Sequence, residues 1–336
     1  MKRGTTDFCF VVGIDKPRDI SSHDVVNRVR RIFGERRVGH TGTLDPLATG
    51  VLTVCVGPAT RLDQYLTADN KAYQVRISFG VATDTDDVCG TAIRTAPVPP
   101  EVCDRAFVES YVASLVGKHR QLPPAYSAVK RDGVKSYEAA RKGNVIQLDF
   151  RDIEVFSAKL MDMEENHDAE SIFWDLEVCV SKGTYIRSLA RDIGVALNTA
   201  AHVEELRRIN SGRLTVEDCL TIEELEEQRL DAVLDPVYLL GFRMAFVNEA
   251  QRADIRNGKP LRADDLTWFY APERVDDSDC GPLRGIQKSA HPLQSGEKVS
   301  LVFENELVAL YECDAQGVLV KPCCVFPLGV TRGKGL

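Results

Sequence analysis

The stretch GHTGTLDPLATGVL sets an imidazole, His40, five residues before a carboxylate, Asp45, in a run rich in glycine, threonine and proline. Glycine permits positive φ or close backbone approach, and an aspartate followed by proline fixes a turn. The stretch predicts a shaped loop between a helix and a buried strand, presenting two groups that can move protons or attack carbon. Capping of local backbone is the commoner fate of an aspartate before a proline, so Asp45 alone decides nothing. A second stretch, CVSKGTYIRSLARDIG, passes from strand to helix through Gly183 and places Tyr185 and Arg187 near the helix start. An arginine beside a carboxylate holds it ionised, because the opposite charge favours the charged form. The same arginine can equally be a solvated helix-face residue.

Several familiar chemistries are missing from the chain. It contains no GxxxxGKS or GxxxxGKT phosphate loop, no GxSxG elbow and no HExxH helix. His40 and Asp45 are too few for zinc, which takes three or four ligands. The ten cysteines are scattered without a CxxC pair, and Cys323 and Cys324 are adjacent, which reads as reduced core thiols in a cytoplasmic protein. The expected reaction therefore needs no metal and no nucleotide cofactor.

Positioning these groups falls to the flanking elements. An apolar strand over about 8–14 leads through a KP turn to Ser21, Ser22 and Asp24, which are helix-capping types. HDVVNRVRRIFG then carries apolar residues at helical spacing and stops at Gly34. VLTVCVG after the loop reads as a buried strand, and YQVRISFG alternates as a half-buried one. ATDTDDVCG is a polar turn, and residues 101–116 are helical. QLPPAYSAVKRDG is a basic loop and SYEAARKG a short helix. IEVFSAKLMDME and SIFWDLEVCVS form a hairpin, and YIRSLARDIGVALN and 221–232 are helices. After about residue 243 come a short helix and turn, then a loop rich in Asp, Pro, Gly and Ser over 263–296. Two strands follow, KVSLVFENELVALYECD and GVLVKPCCVFPL, joined by a tight turn near Gln316-Gly317.

The 336 residues suit one large domain or two ordinary ones, and 44% hydrophobic content can bury a sizeable core. No apolar run approaches the roughly 18 residues of a membrane span, and FCFVVGI is too short for a signal peptide. The net charge of −8 speaks against a polyanionic partner only if it is taken whole. Residues 16–37 hold seven basic side chains against three acidic, and 118–151 hold eight against three. Acid gathers elsewhere: seven acidic and no basic residues over 160–177, and eight against Arg229 over 217–235. Such segregation gives an acidic protein basic faces to which a polyanion responds.

Five segments in order, DKPRDISSHDVVNRVRR, RVGHTGTLDPLATGVLTVCVGPATR, NKAYQVRISFGVATDTDD, LPPAYSAVKRDGVKSYEAARKG and SKGTYIRSLARDIG, followed by AHVEELRRINSG, resemble the TruB family of bacterial tRNA pseudouridine synthases. The resemblance covers nearly all of residues 8–225. It implies an α+β pseudouridine synthase fold, a mixed, mostly antiparallel central sheet flanked by helices. It implies a catalytic domain over 8–242, with an RNA-binding thumb insertion over 118–146. A small β-rich PUA-like RNA-binding domain over 243–336 would follow.

The implied activity is isomerisation of uridine 55 in the T-loop of tRNA, without a guide RNA, by a cytoplasmic monomer needing no protein partner, membrane or cofactor. Residue by residue, Asp45 matches the essential aspartate and Arg187 the arginine that pairs with it. Tyr73 matches the tyrosine that packs on the target base and is implicated in proton removal. Tyr185 and Leu206 match residues lining the uracil pocket. His40 matches the histidine that helps displace the target nucleotide. Lys16, Lys130 and Arg141 fall on the RNA-clamping surface. A target folded into an RNA loop must be flipped out before chemistry, and an imidazole can stack in its place. One departure is Asp19 in KPRDISS, where relatives often carry glycine.

Three other readings compete. RNA-guided archaeal and eukaryotic relatives resemble GHSGTLDPKVTG and need partner proteins; Thr41 and PLATG favour the stand-alone type. An RNA-folding factor would not need every catalytic position, and all are present. A metal hydrolase built on His40 and Asp45 would be stopped by chelation.

Overall fold

The computed structural model describes residues 8–67, 70–127, 130–131, 134–135, 148–166, 171–273 and 287–333. The strands begin with β1 (Phe10–Lys16), β2 (Val38–Thr41), β3 (Thr49–Val56), β4 (Lys71–Phe79), β5 (Val81–Thr83) and β6 (Ala92–Thr95). Next are β7 (Gly117–Gln121), β8 (Lys130–Arg131), β9 (Val134–Lys135), β10 (Arg151–Asn166), β11 (Ser171–Val180), β12 (Ala201–Ser211) and β13 (Leu214–Thr215). The last are β14 (Arg243–Phe246), β15 (Leu261–Arg262), β16 (Trp268–Phe269), β17 (Lys298–Phe303), β18 (Glu306–Cys313) and β19 (Leu319–Thr331). Strands and helices are mixed, and the pairings of β3 with β1 and β2, of β4 with β11, and of β10 with β11 and β7 are antiparallel, in line with the α+β expectation. The expected helix SYEAARKG and residue Arg141 lie outside the described residues.

The chain divides into two compact units. The first comprises Met1–Pro46, Gly50–Ala68 and Asn210–Leu336; the second comprises Leu47–Thr49 and Asp69–Ile209.

In the first unit, β1 and β2 both pair antiparallel with β3. The runs FVVGI and VLTVCV do not alternate because both faces of these strands are covered. Phe10, Val12, Ile14, Leu52, Val54 and Val56 face one core with the helix Ser22–Phe33, while Val11, Val51 and Cys55 face another. The helix Ser22–Phe33 starts at a capping box between Ser21 and Asp24 and ends on Gly34 at φ 65°, the left-handed stop that glycine supplies at little strain.

Six C-terminal strands form their own sheet in the order β15-β19-β18-β17-β14-β16. KVSLVFENELVALYECD, expected as one strand, is two: Glu304 takes φ 50° and a two-residue turn reverses the chain between Phe303 and Glu306. One side of this sheet shares a core with β1 and β3, through Met244, Val302, Leu307, Leu310, Cys324, Phe326 and Val330. At its end Thr331 N–H donates to Cys9 O at 2.8 Å. Arg332 then grips Asp235 through Nε–Oδ1 at 3.0 Å and Nη2–Oδ2 at 2.8 Å, both side chains buried.

In the second unit the strands lie in the order β12-β4-β11-β10-β7. β10 and β11 form the long antiparallel hairpin expected from the sequence. Trp174 of β11 is fully buried; its ring lies 4.4 Å from that of Phe79, and its Nε1 donates to Val102 O at 3.0 Å. The helix Arg105–Ser114 is capped by Asp104, which accepts from Ala106 and Phe107 N–H.

Burial pushes the Asp235 carboxyl up, and Arg332 opposes the shift. Arg332→Met leaves that buried carboxylate without its cation. The expected loss is about 3–5 kcal/mol in a urea unfolding curve; a loss under about 1 kcal/mol shows that Asp235 does not depend on its buried partner.

Candidate active site

Asp45 sits half-buried in the loop between β2 and β3. Gly42 at φ 67° and Gly50 at φ 97° bend the chain at the two ends, in backbone regions that disfavour a side chain. Leu44, Leu47 and Ala48 are buried and anchor the loop by their side chains. Its backbone is pinned on each side of Asp45. Ser22 Oγ accepts from Leu44 N–H at 2.9 Å and donates to Leu44 O at 3.0 Å. The Pro46 carbonyl accepts from Asp19 N–H at 2.9 Å and from Lys16 Nζ at 3.2 Å.

Lys16 was expected on an RNA-clamping surface, and its position differs. Its side chain is completely buried, and Nζ also donates to Ile20 O at 2.7 Å and Pro17 O at 2.8 Å. An ammonium taken out of water must be met by acceptors, and two carbonyls just after β1 and the Pro46 carbonyl meet this one. Its contribution is to tie residues 16–20 to the carbonyl after Asp45.

Asp19 adopts φ 68°, the left-handed region where glycine is strain-free and aspartate is among the better-tolerated alternatives. The departure from the usual glycine keeps the turn and its N–H bond to Pro46. His40 lies on β2, half-buried opposite Val54, on a strand rather than in the loop itself.

The second unit holds the other predicted residues. Tyr73 lies on β4 opposite Val178 and is 8% exposed. Leu206 is buried on β12. Tyr185 caps the helix Ile186–Ala196, and Arg187 is in its first turn, 5% exposed. Arg187 Nη1 donates to Thr85 O at 2.9 Å and lies 3.6 Å from the Asp87 carboxylate; Nη2 donates to Tyr126 O at 3.0 Å. The DTDD turn thus orients this guanidinium, a role its polar composition did not announce. One turn on, Arg191 bridges Asp86 at 3.0 Å and Asp192 at 2.9 Å. Burial pushes the Asp86 carboxyl up, and Arg191 and Arg187 pull it back. Lys130 belongs to the short hairpin of β8 and β9.

Residues 30–186 match the family model for the TruB family pseudouridylate synthase N-terminal domain. Residues 187–239 match the tRNA pseudouridylate synthase B C-terminal domain. The chain belongs to the TruB family. It is thus a pseudouridine synthase, an isomerase, as the five segments implied.

It is similar to proteins named tRNA pseudouridine synthase B. One from Bacillus cereus is 39% identical over 258 residues, 75% of this chain and 84% of that relative. One from Geobacillus kaustophilus is 38% identical over 75% of this chain and 90% of the relative. Among solved structures, a chain of an H/ACA ribonucleoprotein bound to a substrate RNA containing 2'-deoxyuridine is similar with a TM-score of 0.64. It is 23% identical and covers 95% of this chain and 85% of that one. A chain of an archaeal box H/ACA complex has a TM-score of 0.63, at 23% identity over 96% and 88%. At that identity the likeness establishes the pseudouridine synthase fold alone.

The geometry at residue 19 gives a direct check. Asp19→Gly is expected to stay within about 1 kcal/mol of the native stability, since relieved strain offsets the freer unfolded chain. Asp19→Val is expected to lose about 1–2 kcal/mol or more by thermal unfolding. Equal stability of the two variants contradicts the left-handed turn.

Proposed function

We propose that this chain converts uridine 55 of the tRNA T-loop to pseudouridine, as a stand-alone cytoplasmic enzyme with no guide RNA, obligatory protein partner or cofactor. The observation that carries the reading is a carboxylate, Asp45, held in a loop whose backbone is pinned immediately before and after it. Support for tRNA as substrate comes from the relatives named tRNA pseudouridine synthase B, at 39% identity over three quarters of the chain.

In this reading the base is flipped out of the T-loop and His40 takes its place in the stack. Asp45 acts as the ionised group, by attack on C1′ or as a base on the ribose. The N1–C1′ bond breaks, the uracil turns, and C5 bonds to C1′. Electrons and atoms balance within the nucleotide, so nothing is oxidised or hydrolysed. The C5 proton leaves last, to Tyr73 or to water held by Asp45. Arg187 is the counter-charge that keeps Asp45 ionised. Tyr185 and Leu206 line the uracil site. Lys130 and Arg141, in the thumb insertion over 118–146, meet RNA phosphates, and the β-rich region over 243–336 is assigned as PUA-like.

The reaction and the site are tested together with a tRNA transcript tritiated at C5 of uridine. Tritium release is expected with the purified chain alone, and its loss when the T-loop uridine is replaced. Release that persists after that replacement contradicts the assigned position. No release from the unmodified transcript contradicts the proposed activity.

A further inference from the structure

Gln121, the last residue of β7, was not singled out by its sequence. It is 3% exposed, and its amide makes two bonds to one residue. Oε1 accepts from Tyr185 N–H at 2.9 Å, and Nε2 donates to Tyr185 O at 3.1 Å. The amide therefore pairs with Tyr185 as a neighbouring strand would, although Tyr185 stands at a helix start with φ −101° and ψ 113°.

Those two groups flank the Tyr185 Cα on either side. Fixing both fixes the direction of the Cα–Cβ bond, and hence the line along which the aromatic ring leaves the backbone. The carbonyl is held further by Leu189 N–H at 3.0 Å, the first helical bond. The residues after Gln121 continue the attachment. Leu122 O accepts from Ser188 Oγ at 2.9 Å and from Arg191 Nη2 at 2.8 Å, and Tyr126 O accepts from Arg187 Nη2 at 3.0 Å. Among these contacts, it is Gln121 that grips the backbone of Tyr185 itself with a side chain.

We propose that Gln121 is a positioning residue for Tyr185: it sets the angle at which the ring meets the uracil and acts on the chemical step rather than on RNA affinity. This rests on the uracil-lining role proposed above for Tyr185. A ring misplaced by an ångström lowers the population of reactive geometry while leaving the wider RNA contact intact.

The test uses the full chain and a tRNA transcript, with thermal midpoint, tRNA Kd and single-turnover pseudouridine formation measured on each variant. Gln121→Met keeps volume and removes both bonds. It is expected to remain folded, to bind tRNA within about threefold of the native Kd, and to lose at least about tenfold in single-turnover rate. In a Tyr185→Ala background the same change is expected to add less than about twofold, because the ring it positions is gone. A purely structural role predicts the same factor in both backgrounds. Should Gln121→Met fail to fold, Gln121→Glu retains the acceptor for Tyr185 N–H and supplies the same comparison.

A folded variant with the native rate overturns the inference. So does a loss confined to Kd, or one undiminished in the Tyr185→Ala background. A native chain that forms no pseudouridine in tRNA overturns the functional reading, and this inference with it. An active native chain beside an unaffected Gln121 variant overturns the inference alone.

Discussion

Leu44 and Pro46 are each bound through their backbones to the segment 16–22, and Asp45 lies between them. Ser22 Oγ closes on both the N–H and the C=O of Leu44, and the carbonyl of Pro46 receives Lys16 Nζ and Asp19 N–H. Either role proposed for Asp45, attack at C1′ or proton removal from the ribose, requires placement to a fraction of an ångström, and a surface loop alone does not supply that. Here the precision comes from a strand end and a helix start. β1 brings Lys16, the first turn of the helix Ser22–Phe33 brings Ser22, and the turn joining them presents Asp19. The apolar packing on both faces of β1 and β3 holds that frame, and the loop inherits its rigidity.

Arg187 receives comparable support inside the second unit. Two carbonyls and the Asp87 carboxylate take up its donors and fix its fork. Gln121 and Leu122 fasten the same helix start, at Tyr185 and Ser188. In the first unit polar groups of one short segment hold the backbone on either side of Asp45; in the second, groups from 85–87 and 121–126 hold the head group of Arg187 and the backbone of Tyr185. Buried polar groups left unmatched are expensive, so such arrangements form as a whole.

Much of this was legible in the sequence, for particular reasons. The glycines at 42 and 50 announced positive φ, and Ser21 with Asp24 announced the helix start. GHTGTLDPLATGVL together with KGTYIR carried the family. Other features required three dimensions. Lysine composition reads as surface, yet Lys16 is buried, because the acceptors that make burial tolerable come from carbonyls that no motif displays. Glu304 in a left-handed turn split one expected strand into two, and nothing in NE or EN signals that as NG would. Gln121 and the DTDD turn were passed over since their partners lie about 60 and 100 residues away in sequence, at Tyr185 and Arg187. Charge counting found the basic stretches but could not separate Lys16 from the side chains that reach solvent.

In the proposed reaction one ionised carboxylate, Asp45, performs the chemistry on a bound uridine. Its most direct test is single-turnover pseudouridine formation by Asp45→Asn, with tRNA affinity measured on the same preparation. Asparagine preserves size and the pinned backbone while removing the charge. No detectable pseudouridine and a Kd close to the native value are expected; product formed at a native rate by this variant shows that the charge of Asp45 is not needed.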